Sequence, residues 1–280
     1  MWDFDNMRYH DWIKDEGIVL PDPVGVEQVY PAANINSDVP VGIGIHDSSS
    51  SLVPYFKHTN DAFTLASTGT WSINMNPFNH TPLTKEQLKQ DCLAYMSIQQ
   101  KPVKSSRFFL GHIHDVNVER LTEFFKVDKN AYKKVEVDDG LLEQYKEKNK
   151  GERVFFAGTM PEDFIDKDAD LGKFNSFHEA YHQLMIDLAN LTADSINLII
   201  TPEDMTKNLF VTGGFAKNQL FTKLLAARFC DKSVYTSEVA NATSLGAALV
   251  LWRCYGGVKE PELDLGQQRI PGPRNGKVIM

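Results

Sequence analysis

A histidine and an acid end an apolar, β-branched run, Val39-Pro-Val-Gly-Ile-Gly-Ile-His46-Asp47, and four serines follow. Such a run predicts a buried strand that delivers Asp47 to its carboxyl end, where open α/β sheets collect ligands. Asp and Ser also cap helices, and Leu52 to Phe56 continue helically, so Asp47 reads either as a cap or as a carboxylate offered to a ligand. Two glycine-bearing strand exits lie downstream. Thr68-Gly69-Thr70 sits between Asp61-Ala-Phe-Thr-Leu-Ala66 and Ile73-Asn-Met75. It has the form of a tight hairpin whose glycine lets backbone N–H groups approach an anion, with a plain hairpin turn as the alternative. Gly213-Gly214 close the apolar strand Asn208-Leu-Phe-Val-Thr212. A further cluster, His112-Ile-His114-Asp115, has the composition of a divalent-metal site, because alternate residues of a strand point to one side. A solvated helix start is the favoured alternative, since no second His/Asp cluster of metal-ligand spacing occurs.

These groups need elements to hold them. Ser176-Phe-His-Glu179 is a capping box opening the clearest helix, with Phe177, Tyr181, Leu184, Met185, Leu188 and Leu191 at helical spacing as far as about residue 198. His178 and His182 stand four apart on it without the zincin glutamate, and read as neighbours of the apolar stripe. Residues 215–229 predict a helix, Ser233-Val-Tyr-Thr236 a strand, and 243–252 a final helix whose Gly246, Ala247 and Ala248 permit close packing. Apolar residues from Val116 to Phe125 fit an amphipathic helix, and the loop-rich 77–104 stretch holds a candidate helix over 84–95. Val154-Phe-Phe-Ala157 predicts a strand closed by Gly158-Thr-Met-Pro161, and the charged 126–150 stretch a solvated face.

Composition narrows the class. The 280 residues are 42% hydrophobic and 24% charged, as in a globular protein with a sizeable core. A formal charge of -8 argues against nucleic acid or an anionic membrane as the main partner. Cys92, Cys230 and Cys254 are scattered and odd in number, which suggests reduced thiols and a cytoplasmic setting. No stretch has the length of a membrane span, and the first residues lack the form of a signal peptide. Trp2, Phe4, Met7, Tyr9 and Trp12 crowd aromatic and apolar surface into a short opening segment that calls for a partner surface, either another copy of the chain or a further domain.

Four segments in order resemble the FGGY carbohydrate kinases, notably the rhamnulokinase-like and fuculokinase-like members. They are Val-Gly-Ile-Gly-Ile-His46-Asp47-Ser, Ala66-Ser-Thr-Gly-Thr-Trp-Ser72, Val-Thr-Gly213-Gly214-Phe-Ala-Lys-Asn218 and Ser-Leu-Gly-Ala-Ala-Leu249. The resemblance implies an α/β chain whose 61–280 region is an actin-like, ribonuclease H-like nucleotide-binding domain with a mixed sheet flanked by helices. Residues 1–60 would be the end of the preceding domain, and nothing ahead of Asp47 resembles the family's opening Asp-x-Gly-Thr hairpin. By the same resemblance Asp47 is the catalytic base, and His46 and Asp47 meet the sugar. Gly69 and Thr70 contact the terminal phosphates of the nucleotide, and Gly213, Gly214 and Asn218 lie along the adenosine. ATP and Mg²⁺ would be the cofactors, and a ketose or deoxy-ketose such as rhamnulose, fuculose or xylulose the substrate, in keeping with what phosphoryl transfer requires. Two rival readings remain: a nucleotide-binding part that acts only with a separate N-terminal half, and a metal-dependent hydrolase centred on His112, His114 and Asp115.

Overall fold

The computed structural model describes residues 1–33, 39–149, 153–158, 160–239, 241–256, 259 and 261–272. In chain order, the short strands β1 (Trp2–Asp3) and β2 (Arg8–Tyr9) and helix α1 (Asp11–Asp15) precede a hairpin of β3 (Val29–Pro31) and β4 (Pro40–Gly42). Helix α2 (Asp47–His58) follows, then β5 (Phe63–Thr68), β6 (Ser72–Asn76), α3 (Lys85–Lys89), β7 (Cys92–Met96) and β8 (Pro102–Phe108). Helices α4 (Leu110–Phe125), α5 (Asp139–Asn149) and α6 (Phe177–Asn197) lead to β9 (Asn208–Gly213), α7 (Gln219–Arg228), β10 (Ser233–Ser237), α8 (Ala242–Leu251) and β11 (Gln268–Arg269).

The chain divides into two compact units. The first gathers residues 1–60, 94–103 and 240–264; the second holds 61–93, 104–239 and 265–280. Residues 240–264, which a single boundary after residue 60 would place in the second domain, thus belong to the first unit. The cause is α8: its Gly246 lies against the backbone of Ser50 in α2, and the Ser50 hydroxyl donates to Thr243 O at 2.7 Å. In the same unit Trp2 meets Tyr9 edge-on at 5.2 Å, while Trp12 remains 46% exposed.

The second unit is built on a mixed sheet of order β11-β10-β9-β5-β6-β8-β7. Strands β10, β9 and β5 run parallel, and β5, β6 and β8 antiparallel. β5 is buried nearly throughout and β9 at Leu209, Phe210 and Val211, as central strands covered on both faces must be. α6 covers the sheet with Phe177, Ala180, Tyr181, Leu184, Met185 and Leu188, all buried, and packs on α4 and α7. The unit is therefore α/β, a mixed sheet flanked by helices.

Several local expectations are corrected. The run ending at Asp47 is no buried strand: only Pro40–Gly42 pairs, in a two-stranded hairpin, so Val39 and Val41 stay half exposed. Residues 154–157 form turns, because the Val154 and Phe155 N–H groups donate to the Asp187 carboxylate instead of a neighbouring strand, at 2.8 and 2.6 Å. Thr159, in the expected closure of that strand, and the tail from 273 lie outside the described residues. α3 stops at Lys89, Asp91 takes a left-handed φ of 58°, and the chain turns into β7. Ser176 does cap α6, but Glu179 turns to Asn175, so the reciprocal half of that box is absent; the full capping box is Thr84 with Gln87. Residues 214–217 make a 3-10 turn, and α7 begins only at Gln219.

Asp187 also carries a stability prediction. It is fully buried, accepts from Gln183 as well as from the 154–155 backbone, and burial pushes its carboxyl up to about 6 from 3.8. A folded pKa raised above the unfolded one means that the carboxylate destabilises the fold above pH 6. That penalty, about 3 kcal/mol, is relieved as pH falls from 6 towards 3.8. Asp187→Asn, which keeps an oxygen for the two N–H groups, should therefore raise Tm relative to wild type more at pH 8 than at pH 5. Equal differences at both pH values would contradict it.

Candidate functional site

In the second unit, β5 and β9 end at the same level, with Thr68 opposite Gly213. The β5–β6 turn is closed by Gly69 N–H donating to Trp71 O at 2.8 Å, and Gly69 and Thr70 are exposed on it. The Thr68 hydroxyl ties this turn to the neighbouring exit by donating to Thr212 O and accepting from Phe215 N–H at 3.2 Å. Gly213 has φ of 89°, and a Cβ there would sit 1.8 Å from Thr68 O, so no other residue fits without moving the strand ends apart. Gly214 is the opposite case: nothing lies within 4 Å of where its Cβ would be. The result is an open floor of backbone at the carboxyl ends of two parallel strands, the place where α/β sheets take ligands.

Asn218 stands at the far end of this floor as the N-cap of α7. Its Oδ1 accepts from Phe221 N–H at 3.0 Å, and its Nδ2 donates to the Tyr181 hydroxyl at 3.1 Å. Residues not singled out in the sequence also build the floor. Gly111 N–H donates to Thr70 O at 3.0 Å, bringing the start of α4 against the turn so closely that a Cβ at Gly111 would fall 2.4 Å from Gly69 O. Trp71 lies against Phe109, with the Arg107 guanidinium 5.0 Å from its ring centre. The expected helix begins only at Val116, so no sequence signal marks the Gly111 contact; the Trp71–Phe109 pairing joins the β5–β6 turn to the N-cap of α4 and leaves no local trace.

In the first unit, α2 starts at Asp47 itself and His46 is the N-cap, its Nδ1 accepting from Ser48 N–H at 3.2 Å. Asp47 is thus the first helical residue and not the cap; its side chain is 77% exposed and, among the described residues, its polar partners are His46 and Ser48. The His46 ring stacks on Tyr95, whose phenol burial pushes far above its usual range. Ser49 is spent on Met96 O at 2.7 Å. A pocket of about 480 Å³ opens beside these groups, lined among others by Trp2, Ile43, Gly44, Ile45, His46 and Ser49. Asp47 therefore stands at the positive end of a helix, next in the chain to His46 of that lining, with its Oδ1 taken by the Ser48 N–H.

The metal-hydrolase reading is overturned. His112, His114 and Asp115 lie in the first turns of α4, not on a strand, and residues two apart on a helix diverge. His112 meets the rings of Phe109 and Phe164, while His114 is buried and faces Tyr181. His182 uses both ring nitrogens locally, on Asp138 N–H and on the His178 carbonyl. Among the described residues no group of three His, Cys, Asp or Glu side chains could hold a metal ion. The glycine floor is open enough for a nucleotide, and a Mg²⁺ ion held mainly by phosphate oxygens and water needs no cluster of three protein ligands.

Comparisons with known proteins agree with this geometry. Residues 60–146 match the family model for "Carbohydrate kinase FGGY, C-terminal domain". No curated protein matches the chain. Among solved structures, a carbohydrate kinase from Novosphingobium aromaticivorans aligns with a TM-score of 0.70 at 22% identity, over 97% of this chain and 58% of that one. A ligand-bound xylulose kinase from Lactobacillus acidophilus gives 0.71 at 14% identity, over 96% and 56%. A gluconate kinase from the same organism gives 0.67 at 13%, over 93% and 55%. The chain spans a little over half the length of these neighbours. The chain therefore has the actin-like α/β fold of these neighbours, and its residues 60–146, which include the segment Ala66–Ser72, match the C-terminal domain of the FGGY carbohydrate kinases.

Proposed function

We propose that this chain is the nucleotide-binding and base-bearing part of an ATP-dependent kinase for a ketose or deoxy-ketose such as rhamnulose, fuculose or xylulose. The observation that carries the reading is the open floor at Gly214, beside a Gly213 whose conformation and contact with Thr68 admit no side chain. Adenosine lies along Gly213, Gly214 and Asn218, and the phosphates reach the exposed Gly69–Thr70 turn, where the Gly69 N–H is held by Trp71 O and Thr70 supplies the donors for an anion. The sugar occupies the pocket beside His46, and Asp47 removes the proton from the hydroxyl that attacks the terminal phosphoryl group. The neighbours' greater length supports a second reading within the same chemistry, in which the chain binds nucleotide alone but phosphorylates sugar only with an N-terminal half.

ADP titration tests the nucleotide site. Because the space above Gly214 is empty, Gly214→Val should fold normally and yet fill the floor, weakening ADP binding at least tenfold with Tm nearly unchanged. Unchanged ADP affinity in that variant would remove the adenosine assignment. Sugar-dependent ADP release, measured for the chain alone and again with a matched N-terminal segment, separates the two readings.

A further inference from the structure

A chain of polar groups, buried at its two middle members Tyr181 and His114, runs behind the glycine floor, and its hydrogen atoms can be placed by elimination. Asn218 Oδ1 accepts from Phe221 N–H, so the group facing Tyr181 is its amide nitrogen, which donates to the Tyr181 oxygen at 3.1 Å. Asp115 Oδ1, 2.8 Å from His114 Nδ1, is a carboxylate and can only accept, so Nδ1 carries the ring proton. His114 Nε2 is then a bare acceptor, 3.3 Å from the Tyr181 hydroxyl, and accepts its hydrogen bond. Donation thus runs one way, from Asn218 to Tyr181 to His114 to Asp115. Tyr181 is 1% and His114 6% exposed, so neither polar group can turn to water instead.

We propose that Tyr181 and His114 are positioning residues that hold the Asn218 carboxamide in one orientation, with its second N–H free to donate to the bound nucleotide. This rests on the nucleotide reading above. Among the described residues that second N–H makes no hydrogen bond, whereas the rest of the side chain is committed at both atoms. A lone N-cap bond leaves an amide free to swing about its last torsion; a second bond of opposite polarity fixes which face carries the donors.

The arrangement depends on a neutral His114, and its surroundings keep it so. Burial lowers its pKa below the ordinary 6.5, against the opposing effect of Asp115 on the same helix. The other groups facing the ring are Tyr132 from the 3-10 turn Ala131–Lys134, Tyr181 from α6 and the non-titrating Phe215 after β9; Lys133 lies 5.7 Å from the Tyr132 ring centre. Protonation puts a hydrogen on Nε2. The Tyr181 oxygen then faces two donors, its own proton loses its acceptor, and the bond from Asn218 weakens.

The test is ADP titration of the full chain from pH 5 to pH 8 for wild type, Tyr181→Phe and His114→Gln. Loss of one hydrogen bond should weaken ADP about fivefold in Tyr181→Phe at pH 7.5. Wild type should lose a similar factor as pH falls through the histidine's depressed range. His114→Gln sets a non-titrating amide oxygen where Nε2 stood, so it should match wild type at pH 7.5 and keep its affinity at pH 5. Titration of the ADP phosphates is common to all three proteins and cancels in the ratios. The Asn218 side-chain amide resonances should also move in nucleotide-free Tyr181→Phe. Equal ADP affinity in wild type and Tyr181→Phe, or parallel pH profiles in wild type and His114→Gln, overturns the positioning role. If Gly214→Val abolishes binding in the same series, that failure leaves the nucleotide site standing; no ADP binding by wild type overturns both.

Discussion

Asp47→Asn should lower the rate of sugar phosphorylation by about 10² to 10⁴-fold, the usual contribution of a positioned base, while ADP affinity and Tm stay close to wild type. The measurement belongs in whichever form phosphorylates sugar, the chain alone or the chain with a matched N-terminal segment. The substitution removes one charge and keeps an oxygen for the Ser48 N–H, which Asp47 Oδ1 now accepts at 2.6 Å. Its structural cost is bounded by the loss of an acid from the first turn of α2, about 0.3–1 kcal/mol at an exposed site. Capping does not enter, because His46 holds that position.

That last point sharpens the contrast between the two roles Asp47 could have. A cap would be indifferent to Asp→Asn in stability and in rate, since both residues cap well. In the structure the cap can be tested separately: His46→Ala should cost about 1 kcal/mol through loss of the bond to Ser48 N–H, without abolishing proton removal at Asp47. An unchanged rate in Asp47→Asn would leave the acid with neither role and withdraw the centre of the functional reading.

What was legible in the sequence follows from how local each cause is. α6 announced itself because its buried residues recur every three to four positions and Ser176 stops the chain at its start. The two glycine exits were legible for the same reason: each is a strand followed at once by residues that permit an unusual backbone. The failures trace to partners far along the chain. Val154-Phe-Phe-Ala157 has strand composition, yet Asp187, more than thirty residues on, takes the N–H groups that a neighbouring strand would have used. The Val39–Ile45 run has the composition of a central strand, and only its pairing with the short β3 puts it at the surface. His112-Ile-His114 looked like a metal pair only while it was taken for a strand; on α4 the same spacing sends one ring to Phe164 and buries the other against Tyr181. The relay behind Asn218 joins α4, α6 and α7, and no window of sequence contains it.

Gly246→Ala should lower Tm by roughly 4–8 °C, and the reason decides between two opposed effects. Alanine in a helix interior gains about 1 kcal/mol over glycine by propensity, so at an open site the change would stabilise. Gly246 is not open: its Cβ would stand 1.8 Å from Ser50 O and 2.9 Å from Ser50 Oγ, where α2 and α8 lie in direct backbone contact. A carbonyl oxygen of a helix cannot swing aside as a side-chain end can, so one helix must shift and the Ser50–Thr243 hydrogen bond with it. Overpacking of this kind costs about 1–3 kcal/mol or more, to which the strained bond adds about 1 kcal/mol. The net loss of about 2 kcal/mol corresponds to that fall in Tm for a chain of this size. Gly214→Ala is the matched control, since its Cβ meets nothing within 4 Å and should leave Tm unchanged. A Gly246→Ala protein that melts at or above the wild-type temperature would show that α2 and α8 do not pack through this glycine, and would detach the helix bearing Asp47 from the support assigned to it here.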